Sequence, residues 1–251
     1  MTAPIALQLY TVRDAAKKDF AGTIQKVAEM GYLGVETTDD IKTPPEVAAR
    51  IFRDNGLTVC GAHIALPVGP QKNEVLDTMS TYGSTRIVCA SEPRDLFTSL
   101  DGIKKACDTL NEAAANAATR GMTLGYHNHW SEFQLVNERS AYDILLEGLD
   151  PQVFMEIDVY WAQTARVDPA LLVRKLGKRV PLLHLKDGPT NKESPMTAVG
   201  DGSVDIPAVV LAGEGNTEWL IVELDRCATD IVKAAEKSAR YLVEKGLGHG
   251  R

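Results

Sequence analysis

Apolar and polar positions alternate in blocks along the whole chain. Short runs of consecutive apolar residues, such as WLIV and LLHL, are separated by longer stretches in which apolar residues return every three or four positions. Short continuous runs are typical of parallel strands buried on both faces, and the longer stretches are typical of amphipathic helices. The pattern therefore predicts a series of βα units.

Eight βα units are predicted, with strands spaced by roughly 25 to 38 residues around the usual value of about 30. The predicted strands are Ile5–Tyr10, Leu33–Thr37, Thr58–His63, Thr85–Cys89, Thr123–His127, Phe154–Asp158, Pro181–Lys186 and Trp219–Glu223. The predicted helices are Phe20–Met30, Pro44–Asn55, Asn73–Tyr82, Leu100–Arg120, Ala141–Leu149, Pro169–Leu176, Ile206–Ala212 and Ile231–Lys245. Eight units in 251 residues favour an α/β fold with one domain over residues 1–251, a single eight-stranded parallel (β/α)₈ TIM barrel. A doubly wound open sheet is the alternative, but no GxGxxG motif follows the first strand.

Three strands in the second half of the chain end on a side chain that can bind a metal. Asp158 lies in FMEIDVYW, His184 in PLLHLKDG and Glu223 in WLIVELDR. A TIM barrel gathers such strand ends around one mouth, where active sites are built. Carboxylate and imidazole ligands suit Mn²⁺, Mg²⁺, Co²⁺ and Zn²⁺. We therefore predict that these three side chains bind one divalent cation.

Further polar residues interrupt the apolar strands near the same end. Because side chains two positions apart share a face of a strand, several of them are expected to point inward together. They are Gln8, Glu36, His63, His127, Glu156 and Lys186. Burying one such group without a partner costs about 1–3 kcal/mol, so a whole set at one end favours a functional site. A buried hydrogen-bonded network without metal stays open as the structural alternative.

Lys186 and the tryptophans have two interpretations each. A strand-end lysine could form a Schiff base, but carboxylates beside it would hold it as an ammonium, which favours a salt bridge or a hydroxyl-binding role. Trp130 and Trp161 follow strand-end residues and could stack on a sugar ring or exclude solvent.

Composition excludes some partners. The net charge of −7 argues against nucleic acid, which needs a basic surface. No 18-residue apolar window and no basic, apolar leader occur, so a cytoplasmic protein with no membrane span is expected. The four cysteines form no CxxC pair, which favours reduced, structural thiols.

Several short motifs together resemble the xylose-isomerase-like barrel family. They are IALQLYTVRD, GYLGVE, GAHI, GYHNHWSEF, EIDVYWA, PLLHLKDG, VGDGSVD and IVELDR. That family contains sugar phosphate isomerases and epimerases, ketose 3-epimerases, inosose dehydratase and relatives of endonuclease IV. The resemblance extends from Ile5 to about Lys245, and it is specific through the order and spacing of the motifs.

The resemblance implies one divalent metal, Mn²⁺ before Mg²⁺, Co²⁺ or Zn²⁺, held by Glu, Asp, His and Glu on strands five to eight. The last three correspond to Asp158, His184 and Glu223. The sequence departs from the family at the first glutamate, where GYHNH places His127. His127 by strand position and Glu132 in the following loop are both candidates for the fourth ligand.

The resemblance also implies a sugar or sugar-phosphate isomerase or epimerase that removes a proton next to a carbonyl through a metal-stabilised enediolate. Glu223 would be the base, and His127, Glu132 or Glu156 would supply the second proton transfer. Because the partner glutamate is missing, a metal-dependent lyase or dehydratase on a keto-sugar, inosose or keto-glycoside is the alternative, with His63 or Lys186 as the acid.

The remaining expectations concern the substrate and the partners. The candidate substrate-binding residues are Gln8, Glu36, Glu132, Trp161 and Arg226. The expected partners are a small sugar and, in a homodimer, a second copy of the chain. An apurinic endonuclease is disfavoured because five histidines cannot complete a three-metal site. A non-catalytic sugar sensor is the other class left open.

Overall fold

Eight parallel strands form a closed barrel in the computed structural model of the protein, which describes residues 2–40 and 42–251. The strands are β1 (Ile5–Gln8), β2 (Gly34–Thr38), β3 (Thr58–His63), β4 (Arg86–Cys89), β5 (Thr123–His127), β6 (Phe154–Asp158), β7 (Leu182–Leu185) and β8 (Trp219–Val222). Strand β1 pairs with β2 on one side and with β8 on the other, with Ile5 opposite Leu220. The predicted TIM barrel is confirmed, and the open sheet is excluded.

Helices follow the strands and cover the outside of the barrel. They are α1 (Arg13–Ala16), α2 (Phe20–Glu29), α3 (Pro45–Asp54), α4 (Lys72–Tyr82), α5 (Leu100–Ala118), α6 (Ala141–Gly148), α7 (Val159–Thr164), α8 (Pro169–Leu176), α9 (Ile206–Ala212) and α10 (Ile231–Glu244). Short 3₁₀ turns lie at Leu9–Val12, Gly69–Gln71, Arg94–Thr98, Ser131–Phe133 and Gly177–Arg179. Within the described residues, no helix has the length and apolarity needed to span a membrane.

Polar side chains end two of the strands: β1 stops two residues earlier than predicted, and β6 stops at Asp158 as predicted. Asp158 Oδ1 accepts a hydrogen bond from the backbone N–H of Trp161 at 2.8 Å and caps α7. Tyr160 therefore lies in a helix and not on the inward face of β6. Gln8 Oε1 accepts a hydrogen bond from the Tyr10 N–H at 3.1 Å, which turns the chain out of β1.

The inside of the barrel has an apolar layer under a polar one. The apolar layer consists of Ala6, Cys60, Val88, Phe154, Leu182 and Ile221, all buried. Gly125 makes room for the Phe154 ring, because a Cβ at Gly125 would lie 2.1 Å from it. Strand register then sets the polar layer: His127 lies opposite Glu156, and Asp158 lies opposite His184.

The loop between β7 and β8 is organised by one buried carboxylate. Asp187 Oδ1 accepts hydrogen bonds from the backbone N–H of Gly188 at 2.8 Å and of Val204 at 3.1 Å. Asp187 Oδ2 accepts from Gly200 at 2.9 Å and from Gly202 at 3.1 Å. Because this carboxylate accepts from the N–H groups of these three glycines, those groups are not free to bind a phosphate.

We expect Asp187→Asn to lower the free energy of unfolding by about 2–5 kcal/mol, because an amide N–H₂ would face N–H donors and leave them without an acceptor. The control is Asp201→Asn in the same loop, where the exposed carboxylate pairs with Lys237. That change should stay within about 0.5 kcal/mol. Urea unfolding measures both, and equal effects would contradict the prediction.

Candidate active site

The inward polar residues meet at the carboxyl end of the barrel, above the apolar layer. Eight of them have at most 4 % of their surface exposed: Gln8, Glu36, His127, Glu156, Asp158, His184, Lys186 and Glu223. Charges this deeply buried require partners. The contacts among these side chains therefore define what the site can do.

Four donor side chains converge on one point. The ligand atoms of His127, Asp158, His184 and Glu223 all lie within 4.8 Å of one another. Two imidazole nitrogens and two carboxylate oxygens are a donor set that suits Mn²⁺, Co²⁺ or Zn²⁺. Asp158 Oδ2 is buried and accepts no well-aligned hydrogen bond from the described residues, although it lies 2.9 Å from the Lys186 ammonium. The four side chains thus fit a single divalent cation.

Lys186 places a positive charge against the same carboxylates. Its Nζ lies 2.9 Å from Asp158 Oδ2, 2.7 Å from Glu223 Oε2 and 2.8 Å from Asp225 Oδ1. Burial lowers the pKa of Lys186, but these three carboxylates outweigh burial and raise the pKa well above its usual value. Lys186 is therefore held as an ammonium, which makes it a poor Schiff-base nucleophile.

The pKa values of the two carboxylates in the donor set are shifted in opposite directions. Burial raises the pKa of Asp158 to about 6, against the opposing effect of Lys186. Burial also raises the pKa of Glu223, but Lys186 and His184 outweigh it and hold the pKa well below the usual range. Glu223 is consequently ionised at neutral pH, as a general base must be.

Two further carboxylates lie under the histidines. Glu156 Oε2 lies 2.7 Å from His63 Nε2 and 3.0 Å from His127 Nδ1. Glu36 Oε2 lies 2.6 Å from His184 Nε2. Burial and the nearby Glu156 raise the pKa of Glu36 to about 7. Every histidine in the polar layer therefore has a carboxylate partner.

A cavity of about 740 Å³ opens above this layer. His63, His127 and Glu223 form part of its floor, and Trp161 and Arg226 form part of its walls. The indole N–H of Trp161 is buried and has no hydrogen-bond partner among the described residues. A substrate contact by Trp161 stays a prediction.

Glu132 lies apart from the four donor side chains. Its Oε1 accepts hydrogen bonds from the Tyr126 hydroxyl at 2.9 Å and from the His129 backbone N–H at 3.0 Å, and its Oε2 accepts from the Ser131 hydroxyl at 2.7 Å. Of the two candidates for the fourth ligand, the structure brings His127 to the other three. A substrate contact by Glu132 stays a prediction.

Gln8 and Glu36 lie beneath the cavity and do not line it. Gln8 Nε2 donates a hydrogen bond to Glu36 Oε2 at 2.7 Å, and Glu36 in turn contacts His184. Direct contact of these two residues with a substrate stays a prediction. Their observed contacts instead position His184, a histidine of the donor set.

Sequence reasoning placed Glu156 on the inward face beside Asp158 but did not foresee that it contacts three histidines. It also missed the role of Asp187 in the loop after β7. Strand alternation finds which face a residue takes, and for Glu156 that signal was present. Contacts between strands that are far apart in sequence leave no such signal.

The sequence model of the xylose isomerase-like TIM barrels matches residues 24–245 of the chain. An inosose dehydratase of Yersinia enterocolitica is 22% identical over an alignment of 287 positions, gaps included, that covers 96% of this chain and 95% of that protein.

Two solved structures share the fold. A sugar phosphate isomerase/epimerase from Parabacteroides distasonis superposes with a TM-score of 0.84 at 23% identity, covering 98% of this chain and 96% of that one. The IOLI protein with a bound zinc atom superposes with a TM-score of 0.71 at 14% identity, covering 96% and 98%. At these identities the two likenesses establish the fold alone.

Proposed function

The chain belongs to the xylose isomerase-like TIM barrel family, and on that premise we propose that it is a divalent-metal-dependent sugar or sugar-phosphate isomerase or epimerase. One observation carries the proposal. His127, Asp158, His184 and Glu223 bring their ligand atoms within 4.8 Å of one another, and two of these residues reach the floor of an open cavity. A substrate in the cavity would therefore meet the cation directly.

His127, Asp158, His184 and Glu223 would hold the cation. Mn²⁺ is our first candidate, with Co²⁺, Zn²⁺ and Mg²⁺ as alternatives, and two imidazole ligands suit the first three better than Mg²⁺. A cation bound there supplies Lewis-acid polarisation of the substrate carbonyl. The zinc in the IOLI protein is consistent with a site of this kind in the same fold.

The residues around the cavity supply the proton chemistry. The ionised Glu223 removes a proton from the carbon next to the carbonyl. His127 and His63 line the cavity from β5 and β3, and either can return a proton to that carbon or to the adjacent oxygen. Trp161 and Arg226 line the cavity and would orient the sugar there.

A lyase or dehydratase is the second candidate, acting on a keto-sugar, an inosose or a keto-glycoside. The observation that favours it is the histidine at position 127. Because a histidine stands there, Glu223 is the one carboxylate of the donor set that lines the cavity and can act as a base at carbon. A β-elimination needs one base at carbon and one acid for the leaving group. Lys186 and His63 both line the cavity and can act as that acid. Inosose dehydratase is also the name of the curated relative.

Deuterium exchange tests the proposal and separates the two reactions. The protein loaded with Mn²⁺ is incubated in deuterated water with a panel of keto-sugars and sugar phosphates. An isomerase or epimerase places deuterium at one carbon of recovered substrate and product. A lyase gives an unsaturated product or releases water or an aglycone. Chelator-treated protein and Asp158→Asn are the controls, and exchange that survives in both would overturn metal dependence.

A further inference from the structure

We propose that Glu156 is a positioning residue that fixes the ring orientation and tautomer of His127 and His184, so that each presents its other nitrogen to the cation. The inference rests on the proposed metal site and adds to it a residue that is not one of its ligands. Glu156 is fully buried and does not line the cavity. It therefore cannot act on a substrate directly.

One oxygen of Glu156 serves three imidazole rings. Glu156 Oε2 lies 3.0 Å from His127 Nδ1, 3.1 Å from His184 Nε2 and 2.7 Å from His63 Nε2. A carboxylate is an acceptor only, so each of these nitrogens is the natural place for the ring proton. The three rings are thereby oriented by the same atom.

The opposite nitrogens face the other carboxylates of the donor set. His127 Nε2 lies 3.6 Å from Asp158 Oδ2, and His184 Nδ1 lies 2.9 Å from Glu223 Oε2. A ligating nitrogen must carry no proton, so the ring proton has to reside on the far nitrogen. Glu156 contacts that far nitrogen in both rings. It thus retains the ring proton on the nitrogen that points away from the cation. At His184 the cation takes the place of the proton that Nδ1 shares with Glu223 Oε2.

Glu36 reinforces this arrangement at His184. Its Oε2 lies 2.6 Å from His184 Nε2 and accepts a hydrogen bond from Gln8 Nε2 at 2.7 Å. Gly61 leaves the space for this carboxylate, since a Cβ there would lie 2.8 Å from Glu36 Oε1. His184 therefore has two buried acceptors at one nitrogen, whereas His127 depends on Glu156.

A competing interpretation makes Glu156 itself a ligand. His63, His127, Glu156 and His184 also bring ligand atoms within 4.8 Å of one another. A cation there in addition to the first would require both ring nitrogens of His127 and His184 to lose their protons. A single cation there would lie away from Asp158 and Glu223. The first case predicts two bound cations per chain, and the second predicts a cation whose binding does not depend on Asp158 and Glu223.

The test is Glu156→Gln, which keeps the side-chain shape and removes the charge. We expect the affinity for Mn²⁺, measured by calorimetry, to fall about 10- to 100-fold, as for other partners of ligating histidines, with one cation bound throughout. Imidazole ¹⁵N spectra of the zinc-loaded protein add a readout that a merely structural role would not move, and five histidines keep them tractable. In the wild type they should show a single tautomer of His127, with its proton on Nδ1. In the variant they should show a mixture of tautomers.

The control variant is Glu147→Gln, because Glu147 is exposed on α6 and pairs with Arg139. Its Mn²⁺ affinity should equal that of the wild type. If Glu156→Gln does not fold, Glu36→Gln carries the test through His184 alone and should also weaken binding.

The outcomes separate this inference from the proposed function. No Mn²⁺ binding by the wild type overturns the metal site itself. One bound cation with equal affinity and unchanged tautomers in Glu156→Gln overturns the positioning role and leaves the metal site standing. Two cations in the wild type and one in the variant make Glu156 a ligand, which also overturns it.

Discussion

Glu223→Gln is expected to lower solvent proton exchange and turnover by about 10²- to 10⁴-fold, the usual contribution of a positioned general base. Glutamine is the same size and keeps an oxygen toward the donor set, but it cannot accept a proton. Glu223 is ionised at neutral pH, because Lys186 and His184 outweigh burial and hold its pKa well below the usual range. The side chain lost is therefore the ionised carboxylate on the cavity floor.

Loss of the base must be separated from loss of the cation. The exchange rate is measured at saturating Mn²⁺, and the affinity for Mn²⁺ is measured on its own by calorimetry. The matched control is Glu218→Gln, just before β8 at the opposite end of the barrel, where the side chain is exposed and pairs with Arg86. That variant should keep wild-type exchange. If metal-saturated Glu223→Gln also kept it, the base would have to be another cavity residue such as His127 or His63.

Most of the barrel could be predicted because the signals that specify it are local. All eight predicted strands occur, and their bounds agree to within two residues at each end. A parallel strand buried on both faces needs a continuous apolar run, and the helix that returns the chain needs an apolar stripe. These two patterns do not overlap, so each βα unit can be identified in isolation.

The elements that were missed depend on hydrogen bonds that the apolar pattern does not report. Helix α7 is capped by an aspartate that also belongs to the donor set, and VYW continues the apolar run of β6, so the start of the helix is hidden. A two-stranded hairpin, Leu135–Val136 with Arg139–Ser140, was also missed. Its turn residues Asn137 and Glu138 both have positive φ, and glutamate is not a residue that signals such a turn.

The candidate site was predictable at the level of which residues face inward. Strand alternation places Asp158, Glu156 and His184 on the inner face, and the barrel brings the strand ends together. The choice between His127 and Glu132 was not predictable. It depends on the Tyr126 hydroxyl and the Ser131 hydroxyl, which occupy the Glu132 carboxylate. Side-chain pairings of this kind follow from packing in three dimensions.

Lys186→Met is expected to change stability and cation binding in opposite directions. Methionine has a similar length without the charge, so three carboxylates lose the ammonium that lies within 2.9 Å of each. Removing one partner from a buried ion cluster typically costs about 3–5 kcal/mol. We therefore expect chelator-treated Lys186→Met to unfold at markedly lower urea concentration than the wild type.

The same change should strengthen cation binding, because the ammonium repels a divalent cation that shares Asp158 and Glu223 with it. A gain of about tenfold corresponds to roughly 1.4 kcal/mol, a small part of the repulsion between charges about 4 Å apart in a partly polar site. Mn²⁺ at a fixed excess should then stabilise the variant by about 1.4 kcal/mol more than it stabilises the wild type.

Urea unfolding with chelator and with Mn²⁺, together with calorimetry, measures both effects. Lys175→Met is the control, because that exposed side chain pairs with Asp143 far from the cavity. If Lys186→Met instead bound Mn²⁺ more weakly, the ammonium would be needed to hold the two carboxylates at the spacing that a cation requires. Lys186 would then be part of the metal site, because its ammonium would hold Asp158 and Glu223 in place for the cation. It could not also compete with the cation for these two carboxylates.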